Sequence, residues 1–156
     1  MFHRILVALD NSESSRNIFE RALILAKTDR FSRGEATPTE LMLMHVLAPV
    51  DDLYPGDAFI GLPESALKVY ANRWQEREQA GIEQLQSLEV EATAAGIPTE
   101  FTQNVGDPSK LICEVAKTWD ADLIVIGKRG LSGLSELFLG SVSNYVLHHA
   151  PCDVLT

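Results

Sequence analysis

Three short apolar runs set the limits on what this chain can fold into. Ile5 to Leu9 and Leu123 to Ile126 are continuous rather than alternating, and Leu41 to Leu47 is broken only by His45, which suits strands buried on both faces. Helical periods lie between them. After Asn11 and Ser12, both good N-cap types, Ile18, Ala22, Leu25 and Ala26 recur at i, i+4, i+7 and i+8. Residues 30 to 39 read as a loop. From Glu64, a second face of Leu67, Ala71, Trp74, Ile82, Leu85 and Leu88 runs to a stop at Gly96-Ile97-Pro98. Such a helix would span roughly 45 Å, and a break is expected in it near Gly81. Asp107-Pro108 starts a third helix, with a capping carboxylate followed by proline at the first helical position. Leu111, Ile112, Val115 and Ala116 form its inner face. Thr99 to Val105 reads as a more exposed strand, Ser141 to His149 as a last helix and Cys152 to Leu155 as a last strand.

Strands and helices therefore alternate, which predicts the α/β class. The expected architecture is a five-stranded parallel sheet with helices on both faces, for which right-handed crossovers leave few topologies. Sheets of this kind bind ligands beyond the carboxyl ends of their strands, where strand order reverses. The turns after the first and fourth strands are the places to look. A length of 156 residues fits one domain with an ordinary core. The stretch from Ala48 to Pro63, with three prolines and two glycines and no period, is long enough for a loop to suggest function.

Charge narrows the partners. A net charge of −9 argues against nucleic acid and against an anionic membrane surface, since both favour a basic field. A phosphate ligand would need local positive potential supplied by its own site. Cys113 and Cys152 form no CxxC pattern and read as thiols of a reducing compartment. No signal-peptide pattern and no apolar stretch of bilayer length is visible, so a cytoplasmic location is expected.

The chemistry concentrates between Gly127 and Ser143. Gly127 and Gly130 let backbone amides approach a ligand, and Gly140-Ser141 opens a helix whose first amides are unpaired and whose dipole favours an anion. Ser141 and Ser143 add hydroxyls, and Lys128 and Arg129 add positive charge. The segment is not a Walker A loop, because Lys128 precedes the second glycine. Nor is it a GxGxxG turn after the first strand.

The spacing Gly127-x2-Gly130-x9-Gly140-Ser141 resembles the ATP-binding signature of the universal stress protein family. Ile5-Leu-Val-Ala-Leu-Asp10, Leu43-Met-His45-Val46, Gly106-Asp-Pro, Asp122-Leu-Ile-Val-Ile-Gly127 and Ala150-Pro-Cys-Asp-Val-Leu agree with it, so the resemblance runs essentially end to end. It implies a Rossmann-like fold like that of the adenine nucleotide alpha hydrolases, with strand order 3-2-1-4-5, and a site for ATP, with or without Mg²⁺. Adenine would rest against Ala8, Leu9 and Val46, and Asp10 would meet the ribose and, if present, the metal. Gly127, Arg129, Gly130, Gly140, Ser141, Val142 and Ser143 would wrap the phosphates. A homodimer through Cys152 to Thr156 is also implied. Two departures stand out: Ala8 where relatives often carry proline, and Glu136 where a basic residue is frequent.

Plainer readings stand beside these. Asp10 could cap the first helix, and His45 reads as a hydrogen-bonded structural histidine rather than a catalyst. Tyr70 and Trp74 read as core or interface residues. His148 and His149 suit a helix C-terminus and lack partners at metal spacing. On function, a nucleotide-responsive binding protein competes with a slow ATPase or autokinase and with a nucleotide-free dimeric module. Phosphoryl transfer needs a positioned base, and Asp10 is the only obvious carboxylate. A phospho-accepting receiver is excluded, because the third strand ends Asn104-Val105-Gly106 without an acceptor aspartate.

Overall fold

A computed structural model describes residues 2–33, 37–49, 61–128 and 139–156, with the side chains of 30–33 outside the description. The order is β1 (Arg4–Leu9), α1 (Ser14–Arg33), β2 (Glu40–Leu47), α2 (Glu64–Ala94), β3 (Thr99–Val105), α3 (Pro108–Thr118), β4 (Leu123–Ile126), α4 (Ser141–His149) and β5 (Asp153–Leu155). All pairings are parallel, as the alternation predicts, and the sheet order is β3-β2-β1-β4-β5, the one that the family resemblance implies.

Register explains the unbroken apolar runs. Val7 lies opposite Leu43 and Val125, while Leu6 lies opposite Met42 and Ile124. The first layer packs against Ile18, Phe19, Ala22, Leu23 and Ala26 of α1 and Leu85, Leu88 and Ala92 of α2. The second packs against Ile112 and Ala116 of α3 and Val146 of α4. Both faces of β1 are thus covered, and Ile5, Leu6 and Val7 are completely buried. Each such side chain contributes about 1.5–3 kcal/mol relative to exposure. β3, at the edge, is only half-covered, as its mixed composition predicts.

Helix boundaries follow local chemistry. Asp107 Oδ1 accepts from Ser109 N at 3.0 Å with Pro108 in the first turn, so α3 starts where the sequence places it. α2 ends at a left-handed Gly96 (φ 81°), whose amide reaches Thr93 O while Ile97 N reaches Ala92 O.

Four expectations need correction. α1 continues to Arg33, past the expected loop start at Arg30, and its buried face includes Phe19 and Leu23. α1 begins at Ser14 rather than directly after Asn11 and Ser12. β5 begins at Asp153 rather than Cys152. The largest correction concerns α2, which runs unbroken through Gly81. A Cβ at Gly81 would collide with Gln103 Oε1 and stand 2.7 Å from His45 Nδ1. The glycine is therefore a notch that lets α2 lie close over β2 and β3, not a hinge. The buried face of α2 is Gly81, Leu85, Leu88 and Ala92, with Leu67 and Ala71 exposed and Trp74 and Ile82 half-covered. Length is the reason. Thirty-one residues of helix span about 46 Å, whereas the eight of β2 span about 26 Å. The amino-terminal turns of α2 project past the carboxyl ends of the strands.

Candidate functional site

Strand order reverses between β1 and β4, so the turns leaving these two strands diverge to opposite faces. A cavity of about 310 Å³ opens at these carboxyl ends. That is near the lower end for a small-molecule site. Of the residues assigned to nucleotide from the sequence, Ala8, Leu9, Asp10, Val46, Gly127, Gly140, Ser141, Val142 and Ser143 all line it. Arg129 and Gly130 lie outside the described residues, as does most of the Ala48 to Pro63 stretch.

Asp10 leaves β1 half-buried. Its Oδ1 accepts from Ser12 N at 2.9 Å, the i to i+2 pattern of an Asx turn, and from Ser15 Oγ at 2.9 Å. The Ser12 hydroxyl also donates to Oδ1. Ser15 is completely buried and accepts from Asp10 N at 3.2 Å. The carboxylate thus fixes the corner into α1 through one oxygen, and none of these bonds uses Oδ2. Asp10 does not cap α1, which begins at Ser14; its Oδ1 takes the Ser12 amide and the Ser12 and Ser15 hydroxyls, and Oδ2 takes no part in these bonds.

The β4 side is pinned in the same way. Gly140 N donates to Lys128 O at 2.7 Å, so the two ends of the glycine-rich segment meet. Ser143 Oγ donates to Gly140 O at 3.0 Å and lies 3.3 Å from Lys128 O. Its hydroxyl therefore closes the loop, which leaves exposed Ser141 as the hydroxyl free of that duty. Gly140 is the N-cap of α4, and no side chain caps the helix. The first amides of α4 and the positive end of its dipole consequently face the cavity. Lys128 is exposed and does not line it.

His45 is 4% exposed, and its Nδ1 sits 2.8 Å from Gln103 Oε1. Gln103 Nε2 donates to Glu78 O at 3.0 Å. Because Glu78 O only accepts, the amide nitrogen of Gln103 faces it and the amide oxygen faces His45. Nδ1 is therefore the donor in this bond. The structural reading of His45 holds, but the ring also lines the cavity.

Sequence reasoning missed the walls contributed by helices: Ile18 of α1, Pro108 and Ile112 of α3, and Arg77 of α2. Arg77 is the one basic side chain among the described residues that lines the cavity. A signal existed for it. Arg77 stands one turn before Gly81 on the same helical face, and Gly81 marks closest approach to the strands.

Elsewhere, burial pushes the Cys152 thiol up to about 11 and raises Cys113 as well. Arg16 grips Glu91 through both guanidinium ends, at 2.6 and 2.7 Å, and its hydrogen bonds hold the Glu91 carboxyl below its ordinary range. His148 and His149 donate from Nδ1 to the carbonyls of Asn144 and Tyr145. Among the described residues no group of three His, Cys, Asp or Glu side chains could hold a metal ion. No helix among them is long and apolar enough to cross a membrane.

Comparison with known proteins agrees with this architecture. A universal stress protein of Synechocystis sp. is 38% identical over 161 residues, covering 99% of this chain and 96% of that protein. A universal stress protein solved in complex with cAMP superposes with a TM-score of 0.58 at 25% identity, covering 99% of this chain and 94% of its own. An Arabidopsis thaliana family member solved with AMP bound superposes with a TM-score of 0.65 at 23% identity, covering 98% of this chain and 89% of its own. The sequence profile of the universal stress protein family matches residues 1–156 from end to end, and the chain belongs to that family.

Proposed function

We propose that residues 1–156 form one nucleotide-binding domain that takes an adenine nucleotide, ATP first, in the cavity at the carboxyl ends of β1, β2 and β4. The observation that carries this reading is the meeting of three features in one cavity: the uncapped start of α4, the Gly127 turn and the Asp10 carboxylate. An unpaired helix start favours phosphate, and a carboxylate with a spare oxygen suits ribose hydroxyls. Apolar Ala8, Met44, Val46 and Ile112 offer a surface for a base. Two solved family members were crystallised with cAMP or AMP, which supports the adenine assignment.

In this reading Gly127, Arg129, Gly130, Gly140, Ser141, Val142 and Ser143 hold the phosphates, with Ser143 keeping the loop closed around them. A Mg²⁺ ion, where present, rests on the phosphates with help from Asp10, since the described residues offer no metal cluster of their own. The protein acts as a nucleotide-responsive partner rather than a fast enzyme. Asp10 is the one carboxylate lining the cavity among the described residues, and it is already committed through Oδ1. Turnover, if any, is slow. Output passes through a homodimer in which edge strand β5 pairs with a second copy, with half-exposed Leu155 at the seam.

The test is urea unfolding with ATP, AMP, cAMP and GTP, together with sedimentation at each condition. Binding to the folded state adds about 2.7 kcal/mol at a ligand concentration of about 100 Kd. Adenine nucleotides are expected to shift the midpoint, and a midpoint that none of them moves would reject the reading.

A further inference from the structure

The cavity wraps over the tips of the strands and has walls on both faces of the sheet. Ala8, Met44 and Ile112 line it from the α3/α4 face, where they pack in one apolar layer with Val146. Leu9 and Ile18 line it from the α1/α2 face, where they pack with Leu43. His45 follows Leu43 by two residues and shares its face, close against Gly81 of α2. In the nucleotide reading above, base and phosphate both rest on the α3/α4 side: the base on Ala8, Met44, Val46 and Ile112, the phosphate at the start of α4.

The α1/α2 side holds a group to which that reading gives no role. Arg77 lines the cavity one helical turn before Gly81, about 6 Å nearer the overhanging end of α2. Its Nη1 is shielded from solvent and meets no hydrogen-bond acceptor, and among the described residues no carboxylate forms an ion pair with it. The Trp74 ring, with its centroid 5.7 Å from Arg77 Cζ, steadies the guanidinium but has only a donor to offer. A shielded donor left unpaired is costly, and a bound acceptor removes that cost.

The walls define the acceptor. A guanidinium pairs best with a planar oxyanion such as carboxylate. Leu9 and Ile18, on the same side of the cavity, suit a short hydrocarbon tail. Asp10 also lines the cavity, so a single negative charge is repelled less than the two of a phosphate. We propose that the α1/α2 side of the cavity is a second ligand site, which takes a small aliphatic monocarboxylate on Arg77. The site is additional to the nucleotide reading, and the carboxylate binds beside the nucleotide rather than in its place.

The experiment is saturation-transfer NMR of the full chain with propionate and with propionamide, its uncharged counterpart of similar shape, each titrated with and without AMP. Wild-type protein is expected to give a saturable signal from propionate and a response to propionamide about tenfold weaker, the loss of one charge-assisted hydrogen bond. Arg77→Met keeps the apolar stem and removes the donors, so it should weaken propionate about tenfold and bring it level with propionamide. Urea midpoints check that each variant folds, and Arg77→Gln, expected to lose the same preference, carries the test if Arg77→Met does not fold. Saturating AMP should leave propionate bound, because the two ligands occupy opposite sides of the strand tips. No saturable propionate signal, a preference for propionate that survives loss of the guanidinium, or displacement of propionate by AMP overturns the inference. Protein that binds propionate through Arg77 but takes no AMP would support this site while rejecting the nucleotide reading.

Discussion

Replacing Gly81 by alanine sets two effects of opposite sign against each other. In a free helix, alanine is favoured over glycine by about 1 kcal/mol. At this position the new methyl would collide with Gln103 Oε1 and sit 2.7 Å from His45 Nδ1. Gln103 is the end of a flexible side chain on an edge strand and can swing away, but the 2.7 Å approach to the buried His45 ring remains and forces the ring or α2 to shift. Departure of Gln103 breaks the bond to His45 and the bond to Glu78 O. His45 is 4% exposed, so its Nδ1–H is left buried without an acceptor. That loss costs about 1–3 kcal/mol, and the Glu78 bond adds about 1 kcal/mol. After subtracting the helix gain, Gly81→Ala should destabilise the protein by at least about 1–3 kcal/mol, with strain at His45 adding to it. The assay is urea unfolding followed by circular dichroism, with an unchanged m-value as the sign that compactness is unaffected. Ala80→Gly, one residue away on an exposed surface, calibrates the propensity term and should cost about 1 kcal/mol. Gln103→Ala in the Gly81→Ala background should show positive coupling, because the collision has already been removed. Stabilisation by Gly81→Ala, or additive behaviour of the pair, would refute the notch.

Other expectations follow from single contacts. Phe19, completely buried between α1 and the sheet, should cost about 3–5 kcal/mol on truncation to alanine, read from the same urea midpoints. The Cys152 thiol, raised to about 11 chiefly by burial, should react with iodoacetamide far more slowly than an unfolded-chain thiol at pH 8. Because the raised value belongs to the folded state, its contribution to stability is whole below pH 9 and declines toward pH 11. Cys152→Ala should flatten that decline. The bidentate Arg16–Glu91 pair joins α1 to α2 but is roughly half exposed. Arg16→Ala should therefore cost little stability and lose most of that effect in high salt. Glu91 is held below its ordinary range, so the pair's contribution persists above the unfolded carboxylate pKa and fades as pH falls through the lowered value.

The sheet and its order were legible because the buried strands carry their burial in plain apolar runs, and Asp107-Pro108 and Gly96 mark helix ends by local chemistry. The same locality placed Asp10, Gly127 and Gly140 at the cavity, since a βα turn is defined by its own residues. What was hidden depends on contacts distant in sequence. Gly81 looks like a breaker until His45 and Gln103 are seen beneath it. Arg77 looks like one more surface charge until the length of α2 carries it over the strand ends. Ser143 reads in sequence as one of the residues that wrap the phosphates; that its hydroxyl also reaches Gly140 O and Lys128 O shows only once the chain is seen to return to Lys128.

The most direct test of the central claim is calorimetric titration with ATP of wild-type protein and of a Gly127→Val, Gly140→Val variant. Side chains at these two positions would fill the space in which backbone amides approach phosphate. The account predicts saturable binding by wild-type protein and its loss in a variant that still unfolds cooperatively in urea. Wild-type protein that binds no ATP, or a folded variant that binds as well as wild type, would contradict it.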